Sequence, residues 1–205
     1  MNRSIRHTFT IIELIVVTFI IGIVLTLTLA PFDKLVTVAG VDGAVNMISS
    51  QLRACRQHAV GKRAQVALAI YRDGMTQAIR TAQLDKDNHF DRWTESSTWA
   101  FLPAGAVVEE VDDGDSATSG DTDDGGVDIT LTADQMVPIS TTAVTCRFII
   151  YRPTGKLDGG HSPVIKVSDA IPDGSGGYTT PGKRGMNYLK LTVNRFTGQI
   201  TITEP

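Results

Sequence analysis

The chain has 205 residues, of which 42% are hydrophobic, and a formal net charge of −3. It is long enough for one domain with a hydrophobic core plus an appendage. Its mild acidity gives no reason to expect nucleic-acid binding, for which a basic surface is the usual sign. Two cysteines, Cys55 and Cys146, are too few for a disulfide framework and lack metal-ligand spacing. The sequence leaves open whether they form one bridge or stay reduced, and it favours two reduced, buried thiols.

The first predicted element is an apolar helix. No charged residue occurs from Leu14 to Phe32, and a helix of that length covers about 28 Å, close to the hydrocarbon thickness of a bilayer. A basic head with Arg3 and Arg6 precedes this stretch, and the next basic residue is Lys34. This distribution predicts a single membrane span with a cytoplasmic N-terminus and an exported body.

Two ordinary segment types explain this helix poorly. A cleaved secretory signal has a shorter apolar stretch, of about 7–15 residues, and the best cleavage site here, after Ala30, would be followed by Pro31. A plain signal anchor accounts for the orientation but not for Glu13. A carboxylate at an apolar boundary costs free energy and usually has a partner or a function.

The residues around Glu13 favour a third type. The segment Phe9-Thr10-Ile11-Ile12-Glu13-Leu14-Ile15-Val16-Val17 resembles the start of type IV prepilins and type II secretion pseudopilins. In that family a basic leader is removed just before an aromatic residue, the new amine is N-methylated, and a glutamate lies four residues further on. The resemblance implies cleavage between Thr8 and Phe9 by a prepilin peptidase and methylase, although Thr8 stands where the family normally has glycine. It also implies that Glu13 pairs with the Phe9 amine of an adjacent subunit.

A one-sided pattern follows the apolar stretch. Apolar residues recur at alternating steps of four and three with polar residues between them, which predicts an amphipathic helix with one buried face. The apolar positions are Val41, Val45, Ile48, Leu52, Cys55 and Ala59. Gly61 is predicted to end this helix.

Strand patterns occupy the rest of the chain. An Asp73-Gly74 turn between two apolar runs predicts a hairpin. The predicted strands are Ala64–Tyr71, Met75–Gln83, Ala106–Val111, Val127–Thr132, Arg147–Tyr151, Val164–Val167, Tyr188–Asn194 and Gln199–Thr203. We therefore predict an α+β fold class in which a long N-terminal helix packs on an antiparallel β-sheet domain.

The C-terminal half carries a second resemblance. The strand Phe148–Tyr151, its Pro-x-Gly turn and the final hairpin resemble the H-type minor pseudopilin domain of type II secretion, which related minor pilins of type IV pili share. The two resemblances imply a pilin-like arrangement and other pilin or pseudopilin subunits as partners. The predicted parts are a basic leader (1–8), a transmembrane or filament-core helix (9–32), an amphipathic helix (33–60) and a periplasmic β-rich domain (61–205).

An acidic loop interrupts the predicted strands. From Glu109 to Asp128 there are nine acidic residues and no basic one. Clustered carboxylates suit calcium, but the spacing of an EF-hand is missing. Asp121, Asp123 and Asp124 are therefore weak calcium candidates, and a solvated surface loop is favoured.

The sequence contains no recognisable catalytic or cofactor motif. The four histidines are scattered, and Asp158, His161 and Ser162 are too close in sequence for a triad, whose members come from separate elements. Trp93 and Trp99 are predicted to be core or sheet-surface aromatics. We therefore expect no enzymatic activity and no cofactor.

Two functions stay open. The first is a minor pseudopilin-like structural subunit of a type II secretion or type IV pilus-like filament. The second is a single-pass anchored extracytoplasmic domain that binds carbohydrate or calcium.

Overall fold

The computed structural model describes residues 11–73, 76–95, 97–112, 126–136, 138–160, 162–172, 178–179 and 188–204, and for 26–39, 112, 171–172 and 178–179 it describes the backbone alone. Two helices are present in this part of the chain. Helix α1 is continuous over Ile11–Lys62, and α2 is one turn, Ala133–Met136. The chain divides within α1 into two compact units, Met1–Val36 and Thr37–Pro205.

Helix α1 ends one residue after the predicted stop at Gly61. Arg63 has a left-handed backbone, with φ of 50°, and the Ala64 N–H donates to the Ala59 carbonyl at 3.3 Å. This is the hydrogen bond of a Schellman-type helix end, in which the left-handed position is usually glycine. An arginine therefore adopts here a conformation that a Cβ disfavours.

The larger of the two main sheets, sheet A, is antiparallel and six-stranded. Its strands are β1 (Gln65–Asp73), β2 (Thr76–Leu84), β3 (Phe90–Trp93), β4 (Ala100–Phe101), β6 (Val127–Leu131) and β7 (Val144–Tyr151). Their order is β3-β2-β1-β7-β6, with β4 also paired to β2. The β1–β2 hairpin is confirmed, with Asp73 opposite Thr76, and Gly74 lies outside the described residues.

A four-stranded antiparallel sheet, sheet B, forms the second layer of strands. Its strands are β5 (Ala106–Asp112), β8 (Val164–Asp169), β11 (Tyr188–Val193) and β12 (Ile200–Thr203). Their order is β12-β11-β8-β5. A separate two-stranded ribbon pairs β9 (Ile171–Pro172) with β10 (Tyr178–Thr179). All eight predicted strands are thus confirmed, with ends shifted by a few residues.

The first hydrophobic core joins α1, sheet A and sheet B. The six predicted apolar positions of the amphipathic helix, from Val41 to Ala59, are all buried in it. Sheet A contributes Leu68 and Ile149, and sheet B contributes Val167. Since full burial of one such aliphatic side chain stabilises a fold by about 1.5–3 kcal/mol, this core holds the three elements together.

The second hydrophobic core covers the opposite face of sheet A. Successive residues of a strand point to opposite faces, and in β1 Leu68 belongs to the first core whereas Ala67 and Ala69 belong to the second. Met136 of α2 and the buried Trp99 close this second core. Trp93 and Trp99 meet edge to face with ring centroids 5.0 Å apart, which confirms their prediction as core or sheet aromatics.

A buried side-chain amide connects the two sheets. Gln77 on β2 accepts a hydrogen bond from the Val108 N–H of β5 at 2.6 Å and donates one to the Val108 carbonyl at 3.5 Å. Strand β5 is an edge of sheet B, so these backbone groups face away from its neighbour β8. Gln77 therefore takes the place of a missing strand at this edge.

The predicted fold class, a long N-terminal helix packed on an antiparallel sheet in a pilin-like arrangement, is wrong. The described residues form mostly antiparallel β structure, divided between two main sheets and a two-stranded ribbon instead of one sheet. Among the described side chains, those of α1 that enter the core are confined to a short stretch, from Val41 to Ala59, and the side chains from Ile11 to Leu25 are exposed. The apolar run 9–32 was predicted as the membrane half of this helix. Among the described side chains of α1, only those of the one-sided run from Val41 to Ala59 pack in the core with the two sheets.

Candidate functional site

The N-terminal part of α1 exposes apolar side chains on every side. From Ile11 to Leu25 every described side chain is exposed, and the large apolar ones are 45–81% exposed. The Thr18 hydroxyl donates to the carbonyl oxygen of Leu14 at 3.0 Å or of Ile15 at 2.9 Å, so this polar group is satisfied within the helix. Exposed apolar area of this extent is typical of surfaces that contact lipid or another protein.

Glu13 provides the single charge in this apolar stretch. It lies in the first turn of α1 and its side chain is exposed. Negative charge is stabilising near the N-terminus of a helix, where unpaired backbone N–H groups concentrate. Thr8 and Phe9, the predicted cleavage and methylation residues, lie outside the described residues, so their predicted roles stay predictions.

The predicted membrane segment, 9–32, overlaps α1. The backbone from Ile11 onward is helical through this segment. Within the part of the chain that the structure describes, no helix has both the length and the apolarity that crossing a bilayer requires.

Cations hold both ends of the acidic loop. The Glu109 carboxylate lies 2.5 Å from the Lys166 ammonium, and Asp128 lies 3.1 Å from the Arg147 guanidinium. The hydrogen bond to Glu109 raises the pKa of Lys166 above its ordinary value. The weak calcium candidates Asp121, Asp123 and Asp124 lie outside the described residues.

A group of three possible metal ligands was missed in the sequence. The ligand atoms of Asp85, Asp87 and His89 lie within 4.8 Å of one another, and all three residues are exposed. The Asp85 carboxylate already accepts the N–H groups of Asp87 at 2.9 Å and His89 at 2.8 Å, and the His89 bond is the main reason that the pKa of Asp85 is lowered. The alternating acid-x-acid-x-His pattern could have identified this group, but the carboxylate has a structural role in the turn.

A groove between α1 and the β11–β12 turn was also missed. It has a volume of about 600 Å³, and we call it the arginine groove because Arg53 and Arg56 of α1 line one wall. Gln57, Thr197 and Gln199 are further polar residues of its wall. In sequence the arginines belong to the polar face of the amphipathic helix, and no local pattern relates them to a turn about 140 residues later.

The two cysteines are free and buried. Cys55 belongs to the first core and Cys146 to the second, so sheet A separates them. Burial raises the pKa of both thiols to about 12, and a neutral, buried thiol is unreactive. The prediction of two reduced thiols is thereby confirmed.

The described polar side chains of the Asp158-to-Ser162 loop bind other parts of the chain. Asp158 forms an ion pair with Arg152, and the Ser162 hydroxyl accepts the Arg195 N–H at 3.2 Å. His161 lies outside the described residues. The two described polar groups are thus engaged in holding the loop.

Comparisons with models of known protein families, with curated proteins and with solved structures gave no match to this chain.

Proposed function

We propose that this chain is a minor pseudopilin-like structural subunit of a type II secretion or type IV pilus-like filament and that it has no enzymatic activity. The observation that carries the proposal is the apolar helical stretch from Ile11 to Leu25, exposed on every side and carrying Glu13 as its single charge. Because exposing apolar area costs about 25 cal/mol per Å², this stretch requires lipid in the free subunit and neighbouring helices in a filament.

The proposed location follows from the same segment. The N-terminus faces the cytoplasm, the apolar helix lies in the inner membrane, and the β-rich part of the chain lies in the periplasm, as the distribution of basic residues around residues 14–32 favours. A prepilin peptidase and methylase removes residues 1–8 and methylates the Phe9 amine. These are the steps that the resemblance of residues 9–17 implies.

The role of Glu13 is to set the register of assembly. When a subunit leaves the bilayer and packs among other helices, a buried carboxylate requires a cationic partner, since unpaired burial costs several kcal/mol. The Phe9 amine of an adjacent subunit is that partner. Without the charge on Glu13, no ion pair favours one register of the packed helices over another.

Glu13→Ala tests the pairing. We expect membrane insertion to stay at the parental level, because the substitution makes the helix more apolar, and recovery with the filament to fall at least about tenfold, as loss of one buried ion pair costs more than 1.4 kcal/mol. Glu13→Gln, of equal size and no charge, should share the loss. Glu204→Ala, an exposed acid at the other end of the chain, is the control.

Sequencing of the mature N-terminus by mass spectrometry separates this function from the anchored binding domain. A methylated Phe9 supports the filament subunit. An intact Met1, or a chain that starts near Pro31, contradicts it, as does unchanged incorporation of Glu13→Ala.

A further inference from the structure

The arginine groove carries positive charge, and none of the described residues that line it is an acid. Arg53 and Arg56 are one helical turn apart and both are exposed, and the polar side chains opposite them on the β11–β12 turn, Thr197 and Gln199, are uncharged. Among the described residues neither arginine forms an ion pair. The groove is therefore suited to a ligand with carboxylate groups, which arginine binds through paired hydrogen bonds.

One of these arginines, Arg56, packs closely against two glycines. A Cβ on Gly198 would lie 2.7 Å from the Arg56 Cδ, and a Cβ on Gly155 would lie 3.3 Å from the Arg56 Nε. Both glycines have positive φ, 63° and 77°, so their backbone conformation also favours the absence of a side chain. A side chain at either glycine would therefore displace Arg56 from the wall of the groove.

The chain itself contains the complementary charge. Of the nine acids between Glu109 and Asp128, the two terminal ones are paired with Lys166 and Arg147. Six aspartates lie between them in the segment 112–124, with no basic residue: Asp112, Asp113, Asp115, Asp121, Asp123 and Asp124. Such a segment repels itself, and pairing with cations relieves that repulsion.

We propose that the arginine groove binds the acidic segment 112–124 of a second copy of this chain. The acidic segment follows β5, which is one edge of sheet B, and the groove lies beside β12, which is the other edge. Contact between copies then uses two different surfaces, a heterologous arrangement that adds copies in one direction. This contact does not involve residues 11–25 and is separable from assembly through the N-terminal helix.

Photo-cross-linking of the full chain in detergent micelles tests the contact. One copy carries a tag and a photoreactive benzoylphenylalanine in place of Gln199, which is exposed in the groove wall, and a second copy carries a different tag. We expect adducts between the two copies that map by mass spectrometry to residues 112–124. Raising the salt from 0.05 to 0.5 M should weaken them, because exposed charges are screened.

Matched variants test whether formation of the adduct depends on charge. Arg53→Glu in the copy that carries benzoylphenylalanine should reduce the yield of adduct roughly tenfold, since the charge reversal removes an attraction and adds a repulsion. Replacing the six aspartates of the second copy by asparagine should reduce it equally. Arg92→Glu, an exposed arginine outside the groove, should change nothing. Adducts within single copies alone, adducts elsewhere on the chain, no adducts, or adducts that survive the asparagine replacements would each overturn the proposal.

The measurement is made in micelles and does not depend on filament assembly, so we expect Glu13→Ala to leave the adduct intact. Failure of the N-terminal pairing is thereby distinguished from failure of this contact.

Discussion

Cys55, Cys146 and Tyr71 hold their protons more tightly in the folded chain than in the unfolded one. Burial raises the pKa of each thiol from 9.0 to about 12, and burial together with Asp73 raises the pKa of Tyr71 from 10.0 to about 12. Between pH 9 and 12 the folded state therefore binds more protons than the unfolded state. Stability that is fully present below pH 9 is lost as the pH rises through this window.

We expect the urea midpoint to be level between pH 7 and 8 and to fall steadily from about pH 9 upward. A Cys55→Ala, Cys146→Ala double variant has a lower midpoint at pH 7, because two cavities form, but a shallower decline between pH 9 and 10.5. Urea unfolding followed by tryptophan fluorescence measures both slopes. Equal slopes in the parent and the variant would show that the thiols do not cause the decline.

At the scale of elements, Gln77 determines how firmly the two sheets are joined. Gln77→Leu leaves the Val108 N–H and carbonyl buried without their partner, and we expect the free energy of unfolding to fall by about 1–3 kcal/mol. Gln83→Leu is the control on the same strand, because the structure records no side-chain hydrogen bond of that half-buried glutamine among the described residues. The control should change stability by less than about 0.5 kcal/mol.

Urea unfolding of the two variants measures the difference. A Gln77→Leu protein as stable as the parent would mean that the amide bridge contributes nothing net. A drop of equal size in both would instead show that strand β2 tolerates no leucine, whatever the hydrogen bonds.

The elements with long periodic patterns were predicted correctly from the sequence. The buried face of α1 from Val41 to Ala59 and all eight predicted strands are present, because burial imposes periods of 3.6 and 2 on residue choice. Strands β3, β4, β9 and β10 were missed, since runs of two to four residues show no period. The end of α1 was placed at Gly61 because glycine usually takes the left-handed position, which Arg63 occupies here.

The division into two sheets could not be predicted from local pattern. It depends on pairs of strands far apart in the chain, such as β1 with β7 and β5 with β8, and alternation reveals a buried face without revealing the neighbour. The arginine groove was invisible for the same reason. Of the predicted site residues, Glu13 alone lies in the described part of the chain, and its role stays a prediction.

At the scale of the whole molecule, the first unit and the second have different chemistry. The core of Thr37–Pro205 begins at Val41, whereas the described side chains of the preceding unit, Ile11 to Leu25, are exposed. We expect a chain that starts at Thr37 to unfold cooperatively with a urea midpoint within error of the full chain measured in detergent. We also expect it to bind no vesicles of anionic lipid, because it lacks the apolar stretch.

Vesicle flotation and urea unfolding of the shortened chain check these expectations. The full chain, with the same tag, is the reference for both. Flotation of the shortened chain with the vesicles would place membrane affinity in the second unit. A midpoint far below the reference would show that residues 1–36 contribute to its stability.

Sheet A lies between the two sulfur atoms and keeps them apart in every folded molecule. A disulfide requires Cα atoms within about 7 Å and side chains that face each other. An oxidant therefore cannot join Cys55 to Cys146 in the native chain, and a reductant has no disulfide there to cleave. The described fold thus has no bond between Cys55 and Cys146 that the glutathione poise could make or break. Since neither cysteine is bridged, we expect the chain to reach this fold without a thiol oxidase or a disulfide isomerase.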